Sequence, residues 1–265
     1  MKRPDYAIPT GLLIGLVAIL GCAVLEGIRL RFLWQPTAAL VVFGGTAGAV
    51  VVKRGLLGLK SAARAAWSLF FTEPTDNLEA NVARLVWLAR AEKREGVRVF
   101  ESYAETADDP LVARGLQRMA EYADASALRE ELELMLDCEH ERGMHDVATI
   151  EAAAGYAPTF GILGAVLGLI HVLRALADPG TLGAGIATAF VATLYGVGGA
   201  NLLLFPLASR LRERLESRMK RREALVEALV ALAAHESPVT ITNRFTAHAA
   251  LDPEDSPTTL KQATR

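Results

Sequence analysis

The chain has 265 residues, 52% of them hydrophobic and 22% charged, with a formal net charge of −2 and a mean hydropathy of +0.27. An apolar excess gathered in long blocks departs from the composition of a soluble globular domain and points to lipid, while the near-neutral charge gives no reason to expect nucleic acid as a partner. Cys22 and Cys138 are too few for a disulfide framework or a zinc cluster and read as unpaired thiols.

A crossing helix needs roughly 17–25 mainly apolar residues, because the hydrocarbon core is about 30 Å thick and a helix rises about 1.5 Å per residue. Residues 8–25 meet that length behind the charged stretch MKRPDY, and no small-residue cleavage motif follows them, so they read as a retained crossing. Residues 36–52 form a second apolar block. A long charged segment, 53–150, follows and reads as mostly helical. Asp76 with Glu79 resembles a capping box that opens a helix over 78–95, with Val82, Leu85, Val86 and Ala89 on one face and Gly96 ending the run. Asp108, Asp109 and Pro110 announce a second helix over 111–122. A third begins near Ser126, and its pattern is able to continue unbroken into a third crossing at 152–176. The fourth crossing, 182–207, leads into a basic stretch, and the tail 237–265 reads as disordered. The expected organisation is all-α: a first hairpin at 1–52, a helical cytoplasmic domain at 53–150, a second hairpin at 151–208, a cytoplasmic helix at 209–236, then the tail.

Orientation follows from Lys and Arg close to the crossing ends. Lys2, Arg3, Lys53, Arg54 and the run Arg210, Arg212, Arg214, Arg218, Lys220, Arg221 and Arg222 share one side if there are four crossings, leaving only Arg29, Arg31 and Arg174 opposite. Both termini are therefore expected in the cytoplasm. The basic run reads first as a positive-inside anchor and solvated helix face, with a partner or lipid site as the alternative.

The membrane chemistry rests on an absence in the sequence. No Asp, Glu, Lys or Arg lies in the central part of any crossing, since Glu26, Arg174 and Asp178 all fall near interfaces. Proton carriers place ionisable groups inside the membrane, so this chain either conducts through hydroxyls, carbonyls and water or walls a path whose carboxylate another subunit supplies. The third crossing carries Pro158 with Gly161, Gly164 and Gly168; the fourth carries Gly185, Ala189, Thr193, Gly196 and Ala200 at three- or four-residue spacing; Gly11 and Gly15, then Gly44 and Gly48, repeat the signal earlier. Such stripes let helices approach closely, either within one subunit or between copies. Pro158 and Pro206 each free a carbonyl one turn earlier, giving a kink or a hinge. The Thr193 hydroxyl either bonds the carbonyl of Ala189 or faces an ion path.

The segments DYAIPTGLLIGLVAILGCAVLEG, QPTAALVVFGGTAGAVVV, APTFGILGAVLGLIHVL and GIATAFVATLYGVGGANLLLFPLASRL together resemble the MotA/PomA family of flagellar motor stator subunits, over nearly the whole chain to about Glu236. The resemblance implies a ring of copies, typically five, around a dimer of a MotB-type partner whose membrane aspartate carries the ion and whose periplasmic domain grips the cell wall. It further implies that this chain is the channel wall in the bacterial inner membrane, set in membrane lipid, with cytoplasmic helices that push a FliG-type rotor protein; no enzyme activity and no cofactor beyond the transported ion are implied. Pro158 and Pro206 match the family's prolines, Thr193 its channel hydroxyl, and Lys93, Arg94 and Glu101 around Gly96 its rotor-contact charges. Sodium-driven members carry a second threonine where Ala165 stands, and alanine offers a dehydrated sodium ion no oxygen, so the expected ion is the proton. A TolQ/ExbB-type energiser shares the last two crossings and the partner-aspartate logic, but the first hairpin argues against it. A secondary transporter should show related halves and broken helices at a central site. A soluble enzyme is disfavoured, since no nucleophile, base and orienting group cluster in the sequence.

Overall fold

In the computed structural model, residues 6–71, 78–107, 109–121, 124–174 and 179–249 are described. Helix α1 spans Ala7–Leu25, and a short 3-10 turn at Leu30–Leu33 leads to α2, Pro36–Ala39, where proline at the first helical position needs no backbone donor. A π-helical turn at Leu40–Gly44 passes directly into α3, Gly45–Ser68. Then come α4, Leu78–Glu95, α5, Arg98–Ala104, and α6, Pro110–Ala120. Helix α7 runs without interruption over 50 residues, Ala125–Arg174. Helix α8, Pro179–Gly198, a second π-helical turn, Gly199–Leu204, and α9, Phe205–Ala233, follow, and α10 occupies Pro238–Ala249. Among the described residues four helical stretches are long and apolar enough to cross a membrane, at the places the sequence indicates.

The chain divides into two compact units, Met1–Glu73 with Gly143–Glu213, and Pro74–Arg142 with Arg214–Arg265. In the first, α1 is apolar on every side, with Leu13, Ile14, Leu16 and Val17 all exposed, which suits a helix surrounded by lipid rather than by a protein core. Among its glycines, Gly15 is tightly approached: a methyl group there would meet Leu202 Cδ2 at 2.8 Å. Ala38 and Val42 are buried against Val191 and Ala192 of α8.

The second unit is an amphipathic helical bundle. Val82, Leu85, Leu88, Phe100, Leu111, Leu116, Leu128, Leu132, Leu225 and Leu229 form its core. Gly96, at φ +75°, ends α4 as the sequence indicates, since a left-handed residue favours glycine there. Asp109 caps α6, its carboxylate accepting from the Leu111 N–H at 2.8 Å. The capping box expected at Asp76 and Glu79 lies outside the described side chains. Around the core, Glu227 grips Arg129 through two bonds of 2.5 and 2.9 Å, and this pairing holds the guanidinium proton well above its usual range. Hydrogen bonding from Arg114, and the charges of Arg114 and Arg118, outweigh partial burial and depress the Glu131 carboxyl.

Two expectations need correction. The tail from 237 is not uniformly disordered: α10 buries Ile241 and Phe245 in the core of the second unit, while residues 250–265 lie outside the described residues. Nor is the basic run after Ser209 simply a solvated face. Arg212 bonds Glu151 at 2.7 Å, Arg218 bonds Glu139 at 2.9 Å, and Arg222 meets both Asp109 and Glu139.

Candidate functional site

The last two crossings meet along a seam of glycines. A methyl group placed on Gly196 would stand 2.5 Å from the Ala157 carbonyl oxygen and 3.1 Å from Pro158 Cα; on Gly161 it would stand 3.0 Å from the Ala192 carbonyl oxygen and 3.3 Å from Thr193 Cα. One turn further, Gly164 faces Ala192, and Gly168 would bring a methyl 2.8 Å from the Ala189 amide nitrogen. At Gly161, Gly168 and Gly196 the neighbours include backbone atoms, the geometry small residues permit in lipid, where dispersion rather than the hydrophobic effect holds helices together. The seam lies within one subunit. In the second crossing the tight position is Gly45, lodged against the Phe160 ring, while Gly48 has nothing within 4 Å; in the first, Gly15 meets Leu202 and Gly11 has nothing within 4 Å.

The seam brings Pro158, Gly161, Thr193 and Gly196 together. Pro158 sits inside α7, where its ring removes one ladder bond and leaves the Ala154 carbonyl without its usual donor. Thr193 is half-buried, and its hydroxyl reaches the Ala189 carbonyl at 3.4 Å, the local bond that a membrane threonine ordinarily makes. Ala165, also half-buried, follows Gly164 on α7. Pro206 is exposed and stands two residues beyond the π-helical turn Gly199–Leu204. A π turn widens the helix, which eases the clash between a proline ring and the carbonyl four residues before it, so the turn and the proline form one weak point in the ladder.

Sequence reasoning passed over a polar knot in the first unit. The Tyr195 hydroxyl donates to the Leu33 carbonyl and accepts from the Gln35 N–H at 3.3 Å, while Thr188 donates to the Gln35 side-chain oxygen at 3.3 Å. Phe43 stacks on the Tyr195 ring at 6.0 Å. The knot ties the turn between the first two crossings to α8 two residues from Thr193; a lone tyrosine and a glutamine beside apolar blocks were its only signal in the sequence.

In the second unit Lys93 and Arg94 close α4 and Glu101 lies on α5, on either side of the Gly96 break. All three are exposed, and none makes an ion pair among the described residues. Exposed, their charge is presented outward.

Four apolar crossings, a close-packed seam that carries a proline and a hydroxyl, and no acid within the membrane define a multi-pass membrane protein of the channel-wall class. Residues 103–224 match the model of the MotA/TolQ/ExbB proton channel family. The chain is 30% identical over 240 residues to motility protein A of Aquifex aeolicus, covering 86% of this chain and 91% of that one, and 29% identical over 235 residues to motility protein A of Bacillus subtilis, covering 89% and 87%. The flagellar MotAB stator complex from Bacillus subtilis superposes with a TM-score of 0.79 at 28% identity, over 91% of this chain and 94% of that one. The chain therefore belongs to the MotA/TolQ/ExbB proton channel family, on its motility protein A side, and is a multi-pass protein of the bacterial inner membrane.

Proposed function

We propose that this chain is the channel wall of a flagellar stator, walling an ion path whose carboxylate a MotB-type partner supplies, and that it delivers the resulting motion as torque through Lys93, Arg94 and Glu101. The observation that carries this is the absence of any Asp, Glu, Lys or Arg from the central part of four crossings. A wall without its own titrating group needs a companion that has one. The Bacillus subtilis neighbour is a MotAB stator complex, which supports a second, B-type subunit; the ring of copies, typically five, is what the resemblance implies. The Lys and Arg bias supports cytoplasmic termini and a cytoplasmic second unit, where a FliG-type rotor protein is within reach. The chain's work is conduction and leverage, with no enzymatic step.

The ion is the proton. Ala165 gives sodium no side-chain oxygen, and the Thr193 hydroxyl is directed to a backbone carbonyl. Pro158 and Pro206 are the points at which the wall bends as the path loads and empties.

Swimming of cells in which this chain is the only A-type subunit tests the assignment. Thr193→Val and Pro158→Leu are expected to reduce speed with membrane insertion intact, and Lys93→Glu or Glu101→Lys to reduce torque with assembly intact. An uncoupler should stop swimming and sodium withdrawal at constant pH should not. Unchanged swimming in the two seam variants, or a sodium requirement, would overturn the corresponding part of the proposal.

A further inference from the structure

Within α3, Gly55 takes φ +71° and ψ 170°, a conformation that glycine alone adopts without strain, and the helix kinks there. Residues 56–68 beyond the kink are amphipathic in an unusual sense. One face is fixed to the first unit: Ala62 is buried with Ile150 and Ala208, Ala66 packs beside them, and Ser61 donates to Asp146 at 3.1 Å. The opposite face carries Leu56, Leu57 and Trp67, exposed at 63%, 81% and 65%, interleaved with exposed Lys60 and Arg64. A face with large apolar groups and cations side by side, and no carboxylate, suits neither water nor a protein core.

Its depth follows from its neighbours. Ile150 and Ala208 lie next to the ends of the third and fourth apolar blocks, and Asp146, Glu151 and Arg212 are among the first charges beyond those ends. The segment thus sits where hydrocarbon gives way to headgroups. Residues 53–71 contain Lys53, Arg54, Lys60 and Arg64 with no Asp or Glu. Arg54 is engaged with His145 at 3.1 Å and Lys53 lies over the Tyr156 ring, but Lys60 and Arg64 make no ion pair among the described residues. This contrasts with the basic stretch after Ser209, where Arg212, Arg218 and Arg222 are paired with acids of the same chain.

We infer that residues 56–68 form an interfacial helix that inserts Leu56, Leu57 and Trp67 among the acyl chains and binds anionic lipid headgroups through Lys60 and Arg64. Tryptophan and basic side chains are the usual pairing at that depth, the ring at headgroup level and the cation reaching phosphate. The charge of the face selects anionic over zwitterionic lipid, by about fivefold for each basic residue near the surface. The kink at Gly55 turns the end of a crossing into this anchor and sets the level of the first unit in the bilayer.

The test uses the full chain in lipid nanodiscs, with Trp34→Phe and Trp87→Phe leaving Trp67 as the sole tryptophan. Discs of phosphatidylcholine are doped with an equal small fraction of acyl-brominated phosphatidylglycerol or acyl-brominated phosphatidylcholine, and Trp67 fluorescence is read. Brominated phosphatidylglycerol is expected to quench several-fold more strongly, and Lys60→Gln with Arg64→Gln to bring the two lipids level. Equal quenching by both lipids in the unsubstituted chain would overturn the headgroup assignment. Quenching by aqueous iodide alone, or a Leu57→Cys disulfide between copies of the chain, would overturn the membrane placement.

Discussion

Replacing Gly196 with alanine is the sharpest perturbation of the seam. The new methyl group would lie 2.5 Å from the Ala157 carbonyl oxygen, 3.0 Å from Gly161 Cα and 3.1 Å from Pro158 Cα, all backbone atoms of α7. No rotamer change relieves such contacts; restoring an ordinary separation of about 3.5 Å requires the two helices to part by about 1 Å. Overpacking against an unyielding neighbour costs about 3 kcal/mol, and alanine's better helix propensity returns about 1 kcal/mol, for a net loss of about 2 kcal/mol. Gly198 lies two residues further on the same helix with nothing within 4 Å, so Gly198→Ala keeps the propensity gain without the clash. The two variants should differ by about 3 kcal/mol, or about 6–12 °C in the midpoint of thermal unfolding of the purified chain in detergent. Swimming should fall for Gly196→Ala only. Equal midpoints would show that the seam is not a close backbone contact and that Pro158 and Thr193 are not held together by it.

Two further predictions concern the second unit. Phe245 is 2% exposed in its core, so Phe245→Ala should destabilise the chain by about 3–5 kcal/mol, whereas Val239→Ala, at a position 65% exposed, should be near neutral; equal effects in thermal unfolding would place α10 outside the core. The Glu131 carboxyl, depressed by Arg114 and Arg118, contributes stability that is present above the unfolded carboxylate range and lost as pH falls through the lowered folded value. Stability should therefore drop as pH falls below about 4.5, and Glu131→Gln should flatten that loss; an unchanged acid profile in the variant would refute the assignment.

The crossings and the Gly96 stop were legible because each depends on one strong local signal, an apolar length or a left-handed backbone. Helix α5 was missed: it is short and carries exposed Arg98 and Glu101 beside buried Val99 and Phe100, so no long periodicity announces it. Helix α10 was misread because PVTITNRFTAHA is rich in β-branched residues with weak helix preference, and packing of Ile241 and Phe245 four positions apart overrides that preference. The second-crossing stripe was placed on Gly44 and Gly48 instead of Gly45. A π turn at Leu40–Gly44 adds to the residues per turn there and shifts every later position on the face, which a regular helical count does not anticipate. On α8 the seam also takes in the fully buried Ala192, which faces Gly164 beside Thr193 and which the count of small residues at three- or four-residue spacing passed over. The charges at Lys93, Arg94 and Glu101 are singled out by family resemblance alone, since an exposed charge carries no local mark of its purpose.

Proton flux into liposomes measures the central claim most directly. The purified chain is reconstituted alone, with a MotB-type partner, and with that partner's membrane aspartate changed to asparagine, under an imposed pH gradient and potential. Flux is predicted only for the chain together with the unaltered partner. A robust flux from the chain alone would contradict the account, because the crossings would then carry protons without any borrowed acid.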